Sequence, residues 1–227
     1  KGVLVSYSGT ESKSFRRGRS LMVRARITIL GLVVLSIFFS AVATSADKTV
    51  TVDPPQLLSD FNLKDQYGNA FGIEQFKGRW SMVFVGFTAC PDVCPTTLSN
   101  LEAVRAEMGF RMSPGRIPNI VFLAVDPDRD TTRLKAYMSY FHPQYIGITG
   151  AGSEIDKLVK GLDAFYRLEQ KDPSDTNYNV VHTATVSIIS PEAKVVAKIN
   201  PPFHPHQTGE YLMRVINKQM SLLKEKS

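Results

Sequence analysis

Two short, nearly continuous apolar runs stand out in the middle of the chain. Residues 80–87 read WSMVFVGF, and residues 119–125 read NIVFLAV. An apolar run of this length that does not alternate with polar residues is typical of a strand buried on both faces, as in the centre of a parallel sheet. The two runs therefore predict two central strands.

Apolar residues recur at helical spacing in four other stretches, which we predict to be helices. The four stretches are residues 96–109, 131–140, 153–162 and 208–224. Asp130 or Thr131 is the expected N-cap of the second helix, since both residue types favour that position.

Shorter segments complete the pattern. The sequence DQYGN at residues 65–69 predicts a turn between two short extended pieces, and residues 146–148 form a short strand candidate. Residues 183–189 and 194–199 flank SPEA, which predicts a hairpin. The order of elements predicts an α/β fold whose sheet is parallel at first and antiparallel at the end, an order compatible with a thioredoxin-like architecture.

An uncharged apolar segment precedes all of these elements. Residues 27–46 contain 20 residues and no charge, so a helix there would span about 30 Å, the thickness of a bilayer core. Arg24 and Arg26 precede it, which favours a cytoplasmic N-terminus. The segment is either a membrane anchor or a signal peptide cleaved after Ala41-Val42-Ala43, and Met22 is an alternative start. Both alternatives predict that residues 47–227 are exported.

The chain thus divides into four predicted parts. The parts are a basic N-terminal segment at 1–26, a transmembrane anchor or signal peptide at 27–46, a linker containing Pro54-Pro55 at 47–60, and a globular domain at 61–227.

Composition and charge exclude several classes of protein. With 43% hydrophobic and 21% charged residues the chain is globular, and two cysteines are too few for a disulfide-stapled miniprotein. The net charge of +6 lies entirely in residues 1–26, and the rest of the chain is neutral overall. A globular part without basic excess argues against nucleic acid as a partner.

The chemistry is concentrated at the two cysteines. Cys90 and Cys94 lie in FTACPDVCPT, directly after a predicted buried strand and before a predicted helix. If Cys94 is in the first helical turn, the two sulfurs can converge on one point, which suits Cu(I) or a disulfide. A purely structural disulfide would close only a short loop and stabilise the fold little. Metal binding and thiol–disulfide exchange both stay open.

The residues around the cysteine pair leave the third ligand undecided. A histidine is the expected partner of two thiolates, but spacing alone does not choose among His142, His182, His204 and His206. Asp92, between the cysteines, and Asp126, at the end of the second strand, are candidates for supplying charge near the site.

Three segments together resemble the Sco/SenC family, whose members help to insert copper into cytochrome c oxidase. They are FVGFTACPDVCPTTL, VDPDRDTTRLKAYMSYF and NYNVVHTATVSII, and the resemblance covers about residues 55–222. It implies a thioredoxin-like central mixed sheet flanked by helices and preceded by one N-terminal transmembrane helix. It also implies that Cys90, Cys94 and His182 bind Cu(I) or Cu(II). Val181 stands where the family commonly has Asp before the ligand histidine.

The function implied by the resemblance is that of a copper metallochaperone rather than an enzyme. It would receive copper from an upstream donor and deliver it to the binuclear copper site of a cytochrome c oxidase subunit. The implied location is the inner (cytoplasmic) membrane, single-pass, with the domain in the periplasm, or alternatively the mitochondrial inner membrane facing the intermembrane space.

Two other functions share the same residues. One alternative is a thiol–disulfide oxidoreductase that uses Cys90 and Cys94 as a reversible disulfide to reduce the cysteines of that copper site. A second alternative is a peroxidase of the peroxiredoxin type, for which Thr88 and Arg129 would support the reactive cysteine.

Overall fold

The computed structural model describes residues 49–172 and 174–225. These residues contain ten strands and four α-helices. The strands are β1 (Thr49–Leu57), β2 (Leu63–Asp65), β3 (Ala70–Phe71), β4 (Ser81–Gly86), β5 (Asn119–Ala124), β6 (Ile146–Thr149), β7 (Tyr166–Leu168), β8 (Val180–His182), β9 (Val186–Ile189) and β10 (Lys194–Ile199). The helices are α1 (Val93–Gly109), α2 (Pro127–Phe141), α3 (Gly152–Gly161) and α4 (Pro205–Lys224).

Eight of these strands form one mixed sheet in the order β1-β10-β9-β4-β5-β6-β2-β3. The pairs β4–β5 and β5–β6 are parallel, whereas β9 lies antiparallel to both β4 and β10. The remaining strands, β7 and β8, form a separate two-stranded antiparallel sheet. The predicted mixed sheet, parallel at its start and antiparallel at its end, is confirmed.

The two strands predicted from the apolar runs lie side by side at the centre of this sheet. All six residues of β4 are buried, and so are five of the six residues of β5. Their register pairs Gly86 with Ala124 at the carboxyl ends. The loop that carries the cysteines and the acidic segment that follows β5 therefore leave the sheet at the same edge.

The helices cover the sheet through close apolar contacts. Helix α1 packs against α4, while α2 packs against β5 and β6. At Gly147 in β6 a Cβ atom would lie 2.6 Å from Met138 Cγ and 2.7 Å from Leu134 Cδ1, both on α2. The absence of a side chain at Gly147 thus lets α2 approach the sheet closely.

The prediction of a linker at residues 47–60 is wrong over much of its length. Thr49–Leu57 forms the edge strand β1, which pairs with β10. The register shifts between Thr51 and Gln56, across the segment that contains Pro54 and Pro55. An edge strand tolerates proline at an irregularity because the missing N–H is not needed for pairing there.

Other element boundaries also differ from the predictions. Helix α2 begins at Pro127 with Asp126 as N-cap, not at Asp130 or Thr131, and proline suits this first helical position because its N–H would have no partner. The strand expected over residues 183–189 begins only at Val186, as β9, and residues 183–185 separate it from β8, which ends at His182.

The described residues belong to a unit that spans Asp47–Ser227. None of the helices within residues 49–225 is both long enough and apolar enough to cross a membrane. The predicted anchor or signal peptide at 27–46 and the basic segment at 1–26 lie outside the described residues.

Candidate metal centre

Cys90 and Cys94 lie at the connection between the central strand β4 and helix α1. Cys94 is in the first turn of α1 and is fully buried, whereas Cys90 lies in the preceding loop and is half-buried. Both are free thiols, and the backbone N–H of Cys94 donates a hydrogen bond to Cys90 Sγ over 3.4 Å. The C-x3-C spacing thus brings the two sulfurs together, as expected for a second cysteine in the first helical turn.

His182 brings the third donor atom to this point from β8. Its Nε2 lies 3.5 Å from Cys94 Sγ, and the Sγ atoms and one ring nitrogen all lie within 4.8 Å of one another. The other ring nitrogen, Nδ1, lies 3.1 Å from the carbonyl oxygen of Thr183. A carbonyl only accepts, so Nδ1 carries the proton of the neutral ring and Nε2 presents its lone pair to the cysteines.

Aromatic packing fixes the orientation of this imidazole. The rings of Phe84 and Phe87 meet it nearly edge-on, with centroid distances of 5.9 and 6.0 Å. Burial among these rings lowers the pKa of His182, because a charged imidazolium is poorly solvated there. The neutral form that can bind a metal ion is therefore favoured.

The floor of the site is built around Gly86. A Cβ atom at this position would lie 2.6 Å from Phe122 Cε2 and 2.9 Å from Cys94 Sγ. Any side chain at this residue would push either the sulfur or a core ring out of place. Cys94 can occupy its position only because residue 86, at the end of β4, is glycine.

Cys94 differs from an ordinary surface thiol in its acidity. Burial raises the pKa of the Cys94 thiol, and the neighbouring Cys90 raises it further, against the opposing effect of a hydrogen bond with the backbone of Phe87. Without a metal ion this sulfur keeps its proton. A metal ion must displace that proton to bind, as thiolate ligation requires.

Asp126 is fully buried in a network next to the site. Its Oδ1 accepts a hydrogen bond of 2.7 Å from the Tyr178 hydroxyl, and its Oδ2 pairs with Arg129 Nε. The guanidinium of Arg129 lies over the Tyr178 ring, with Cζ 3.7 Å from the centroid. Because Arg129 compensates its charge, Asp126 positions the loop before β8 rather than offering a free carboxylate to a metal ion.

A second buried carboxylate holds the cysteine loop itself. Asp130 Oδ1 accepts hydrogen bonds of 2.7 Å from both the backbone N–H and the hydroxyl of Thr88, and its Oδ2 accepts one of 3.0 Å from the Asp126 N–H. Burial raises the pKa of Asp130, although these three donors oppose the rise. The sequence presented Asp130 only as a possible helix cap, so this role was missed.

Asp92, the other acidic candidate, has a local role. It occupies the N-cap position of α1 and is exposed, and its Oδ1 accepts a hydrogen bond of 3.2 Å from Thr96 Oγ1. Val181, the residue in place of the Asp common in the family, points partly to solvent with 36% of its surface exposed. Neither residue belongs to the cluster of donor atoms.

The other three histidines have other partners or positions. The His142 ring accepts a hydrogen bond from the Gln144 N–H at the end of α2, and His206 lies 2.9 Å from Glu107. His204 is the N-cap residue of α4. Within residues 49–225, Cys90, Cys94 and His182 form the one group of three or more such side chains with converging donor atoms.

Tyr137 is a further residue near the site that sequence reasoning missed. Its ring packs on Phe122 with a centroid distance of 5.4 Å, and its buried hydroxyl has no hydrogen-bond partner within the described residues. Burial raises the pKa of Tyr137, and the negative charges that Cys94 and Cys90 can carry raise it further. The sequence placed Tyr137 only within the helix predicted over residues 131–140.

The two residues on which the peroxidase alternative rests are engaged elsewhere. Thr88 donates to Asp130, and Arg129 pairs with Asp126 and donates from Nη1 to the Tyr178 carbonyl over 2.8 Å. The structure therefore gives the peroxidase alternative no support from these groups.

Two sulfurs and one imidazole nitrogen make a soft donor set. Such a set suits Cu(I), and three donors leave room for an incoming ligand. The chain is thus an α/β domain with a dithiol–imidazole site at the carboxyl end of its central strand, one wall of which belongs to a separate small sheet.

Comparison with known proteins places this domain in a family. The model of the SCO1/SenC family matches residues 49–217, so the chain belongs to that family. The SCO2-like protein of Rickettsia conorii is 33% identical over 161 residues, which cover 70% of this chain and 77% of that protein.

Solved structures agree with this assignment. The structure of Bradyrhizobium japonicum ScoI with copper bound is 31% identical, with a TM-score of 0.60, over 70% of this chain and 99% of that one. Yeast Sco1 with copper bound is 27% identical, with a TM-score of 0.65, over 70% of this chain and 88% of that one. The likeness confirms the thioredoxin-like fold and the family that the motifs indicated.

Proposed function

We propose that this protein binds one copper ion through Cys90 Sγ, Cys94 Sγ and His182 Nε2. The observation that carries the proposal is the convergence of these three donor atoms within 4.8 Å. Copper-bound structures of the relatives from B. japonicum and yeast support copper as the ion. Two thiolates and a neutral imidazole favour Cu(I) among biological metals.

The bound copper is cargo in this proposal. The protein receives it from an upstream donor and delivers it to the binuclear copper site of cytochrome c oxidase during assembly. Membership of the SCO1/SenC family supports this destination. The partly exposed Cys90 supports transfer by ligand exchange, since thiolates of the acceptor can replace the ligands of this protein one at a time.

The proposed location follows from the sequence pattern. Residues 27–46 anchor the chain in the inner membrane or direct its export, so that the copper site faces the periplasm, or the intermembrane space in a mitochondrion. The uncharged run behind Arg24 and Arg26 supports this orientation.

Copper titration of the full chain under reducing conditions tests the binding proposal. We expect one Cu(I) per chain, and X-ray absorption at the copper edge should show two sulfur neighbours and one nitrogen neighbour. Copper bound without sulfur in its first shell would contradict the proposal. Cys90→Ser with Cys94→Ser should abolish the signal, whereas His204→Ala should leave it unchanged.

Thiol–disulfide exchange is the second candidate function. The pairing of a half-exposed Cys90 with a buried Cys94 favours it, since one sulfur is open to attack and the other lies close enough to resolve a mixed disulfide. His182 separates the two functions. Reduction of a disulfide substrate at an undiminished rate by His182→Ala would favour the oxidoreductase, while copper delivery requires the imidazole.

A further inference from the structure

A polar cavity of about 600 Å³ lies directly beside the copper site. Three elements contribute its walls: the loop after β4, the first turns of α2 and the loop before β8. The lining residues are Phe87, Ala89, Pro91, Arg129, Arg133 and residues 176–179. The loop after β4 also carries Cys90, and the loop before β8 leads to His182. The cavity and the copper site are therefore formed by the same two loops.

The cavity carries one positive charge without an ion-pair partner among the described residues, that of Arg133. Two arginines line it, and no carboxylate is among its lining residues. Arg133 is exposed and makes no ion pair with any residue of the described ranges. Arg129 pairs with Asp126 through Nε, yet its Nη2 is buried and lacks a hydrogen-bond partner among the described residues. An exposed guanidinium without an ion-pair partner, such as that of Arg133, favours a carboxylate, which can accept hydrogen bonds from two of its N–H groups.

Phe87 links the cavity to the copper site. Its ring contacts the His182 ring at a centroid distance of 6.0 Å and lies 5.6 Å from Arg129 Cζ. Cys90, the more exposed of the two sulfurs, stands between the lining residues Ala89 and Pro91. A group that fills the cavity therefore lies next to the sulfur that an incoming thiol meets first.

We propose that this cavity binds a carboxylate side chain of the protein that accepts copper, and so places a cysteine of that protein against Cys90. The proposal rests on the proposed copper-delivery function and specifies its partner as an acidic segment that carries thiols. Charge complementarity is the reason for this choice, because Arg133 has no ion-pair partner among the described residues and no carboxylate lines the cavity, while Arg129 is already paired with Asp126.

The transfer step that this docking serves is a balanced ligand exchange. The bonds from copper to Cys90 Sγ, Cys94 Sγ and His182 Nε2 break as two bonds to the acceptor's sulfurs form, and the His182 ring is left as a free neutral imidazole. The two acceptor thiols give up their protons, and Cys90 and Cys94 each take up one. Copper stays Cu(I) throughout, so no oxidant or reductant is consumed.

Two synthetic peptides test the proposal. Both contain the same pair of cysteines, flanked by glutamates in one and by glutamines in the other. The full chain is loaded with Cu(I), and the rate constant of transfer to each peptide is measured at low ionic strength. We expect the glutamate peptide to accept copper about 10-fold faster, because complementary charge raises association rates, and we expect added salt to remove the difference.

Single arginine substitutions test whether the preference for the glutamate peptide depends on the cavity. Arg133→Gln should lose most of the preference for the glutamate peptide, while Arg133→Lys should retain much of it. The matched control is Arg214→Gln, which removes another exposed arginine charge, on α4 and not among the residues that line the cavity. Each variant should bind one Cu(I) with the affinity of the parent, which also shows that it is folded.

Two results would overturn the proposal. One is equal rates for the two peptides with the parent protein, and the other is an unchanged preference in Arg133→Gln. Failure of the parent to bind Cu(I) at all would instead contradict the proposed function, so the two failures are distinguishable.

Discussion

The imidazole of His182 shows how single contacts define a metal donor. The Thr183 carbonyl fixes the proton on Nδ1, and two phenylalanine rings hold the plane of the ring. The fold thus presents Nε2 to Cys94 before any ion arrives. A ligand held in this way loses little freedom on binding, which strengthens coordination.

Replacing His182 by alanine should weaken Cu(I) binding by more than about 100-fold, since even outer-shell changes cost about 10–100-fold. The domain should still fold, because the residue ends a short strand and is only half-buried. Competition with a Cu(I) chelator measures the affinity, and thermal unfolding measures the stability.

His142→Ala and His204→Ala serve as controls for that substitution and should bind copper like the parent. If His182→Ala retains the parent's affinity, the third ligand is another residue. If it fails to fold, the main role of His182 is structural.

Copper affinity should increase with pH between about pH 6 and 8. Burial raises the pKa of the Cys94 thiol, so this sulfur is protonated when empty and must release its proton to bind. Each proton released adds about tenfold in affinity per pH unit. His182 does not steepen this trend, because its lowered pKa keeps the ring neutral, so that it has no proton to release.

Chelator competition at several pH values, corrected for titration of the chelator itself, measures this dependence. An affinity that stays constant over the range would show that Cys94 is not a ligand or is already a thiolate in the empty protein.

At the scale of elements, the site depends on how the loop after β4 is tied to the start of α2. Asp130 makes that connection through three hydrogen bonds, two of them to Thr88, which lies two residues before Cys90. The position of the exposed sulfur is therefore coupled to a carboxylate that does not touch it.

Asp130→Ala should lower the free energy of unfolding by about 2–4 kcal/mol, because it leaves the half-buried N–H of Thr88 and the buried N–H of Asp126 without an acceptor. Copper binding should weaken as well, since the loop that carries Cys90 loses its anchor. Urea denaturation and chelator competition measure the two effects.

The control for this change is Asp128→Ala, which removes an exposed carboxylate from the same helical turn and should alter stability by less than about 1 kcal/mol. A loss below about 1 kcal/mol in Asp130→Ala would mean that the loop is held by other contacts.

The elements that could be predicted are those whose sequence pattern is local. Strands β4 and β5 were predicted because an unbroken apolar run reports burial on both faces directly. Strand β1 was missed, since Pro54-Pro55 has the appearance of a linker and only pairing with β10 makes it a strand. Strands β7 and β8 are three residues each and exist through their mutual pairing.

The site was predictable to the extent that its residues share a short motif. Cys90 and Cys94 follow a recognisable strand at a spacing that has a chemical meaning. His182 lies 88 residues beyond Cys94, so that family resemblance, not spacing, singled it out. Asp130 and Tyr137 acquire their places only through tertiary packing, which no local pattern reports.

The net charge of the chain is concentrated at its N-terminal end. The net positive charge lies in residues 1–26, before the uncharged run, and the rest of the chain is neutral overall. A membrane segment with a basic flank is oriented with that flank in the cytoplasm, so the proposed anchor at residues 27–46 predicts export of the domain.

A reporter enzyme that is active only outside the cytoplasm should be active when fused after residue 50. The matched control is a fusion after residue 26, in front of the apolar run, which should be inactive. Activity of a cytoplasmic reporter alone at the first position would contradict export of the domain.

The ligands' distribution over two sheets has a mechanical consequence. Cys90 and Cys94 follow β4 of the large sheet, while His182 ends β8 of the separate two-stranded sheet. An ion held by all three is a cross-link between two parts of the fold that share no strand pairing. Loading then raises the melting temperature by an amount that grows with the logarithm of the affinity, and unloading returns the small sheet to its own limited stability.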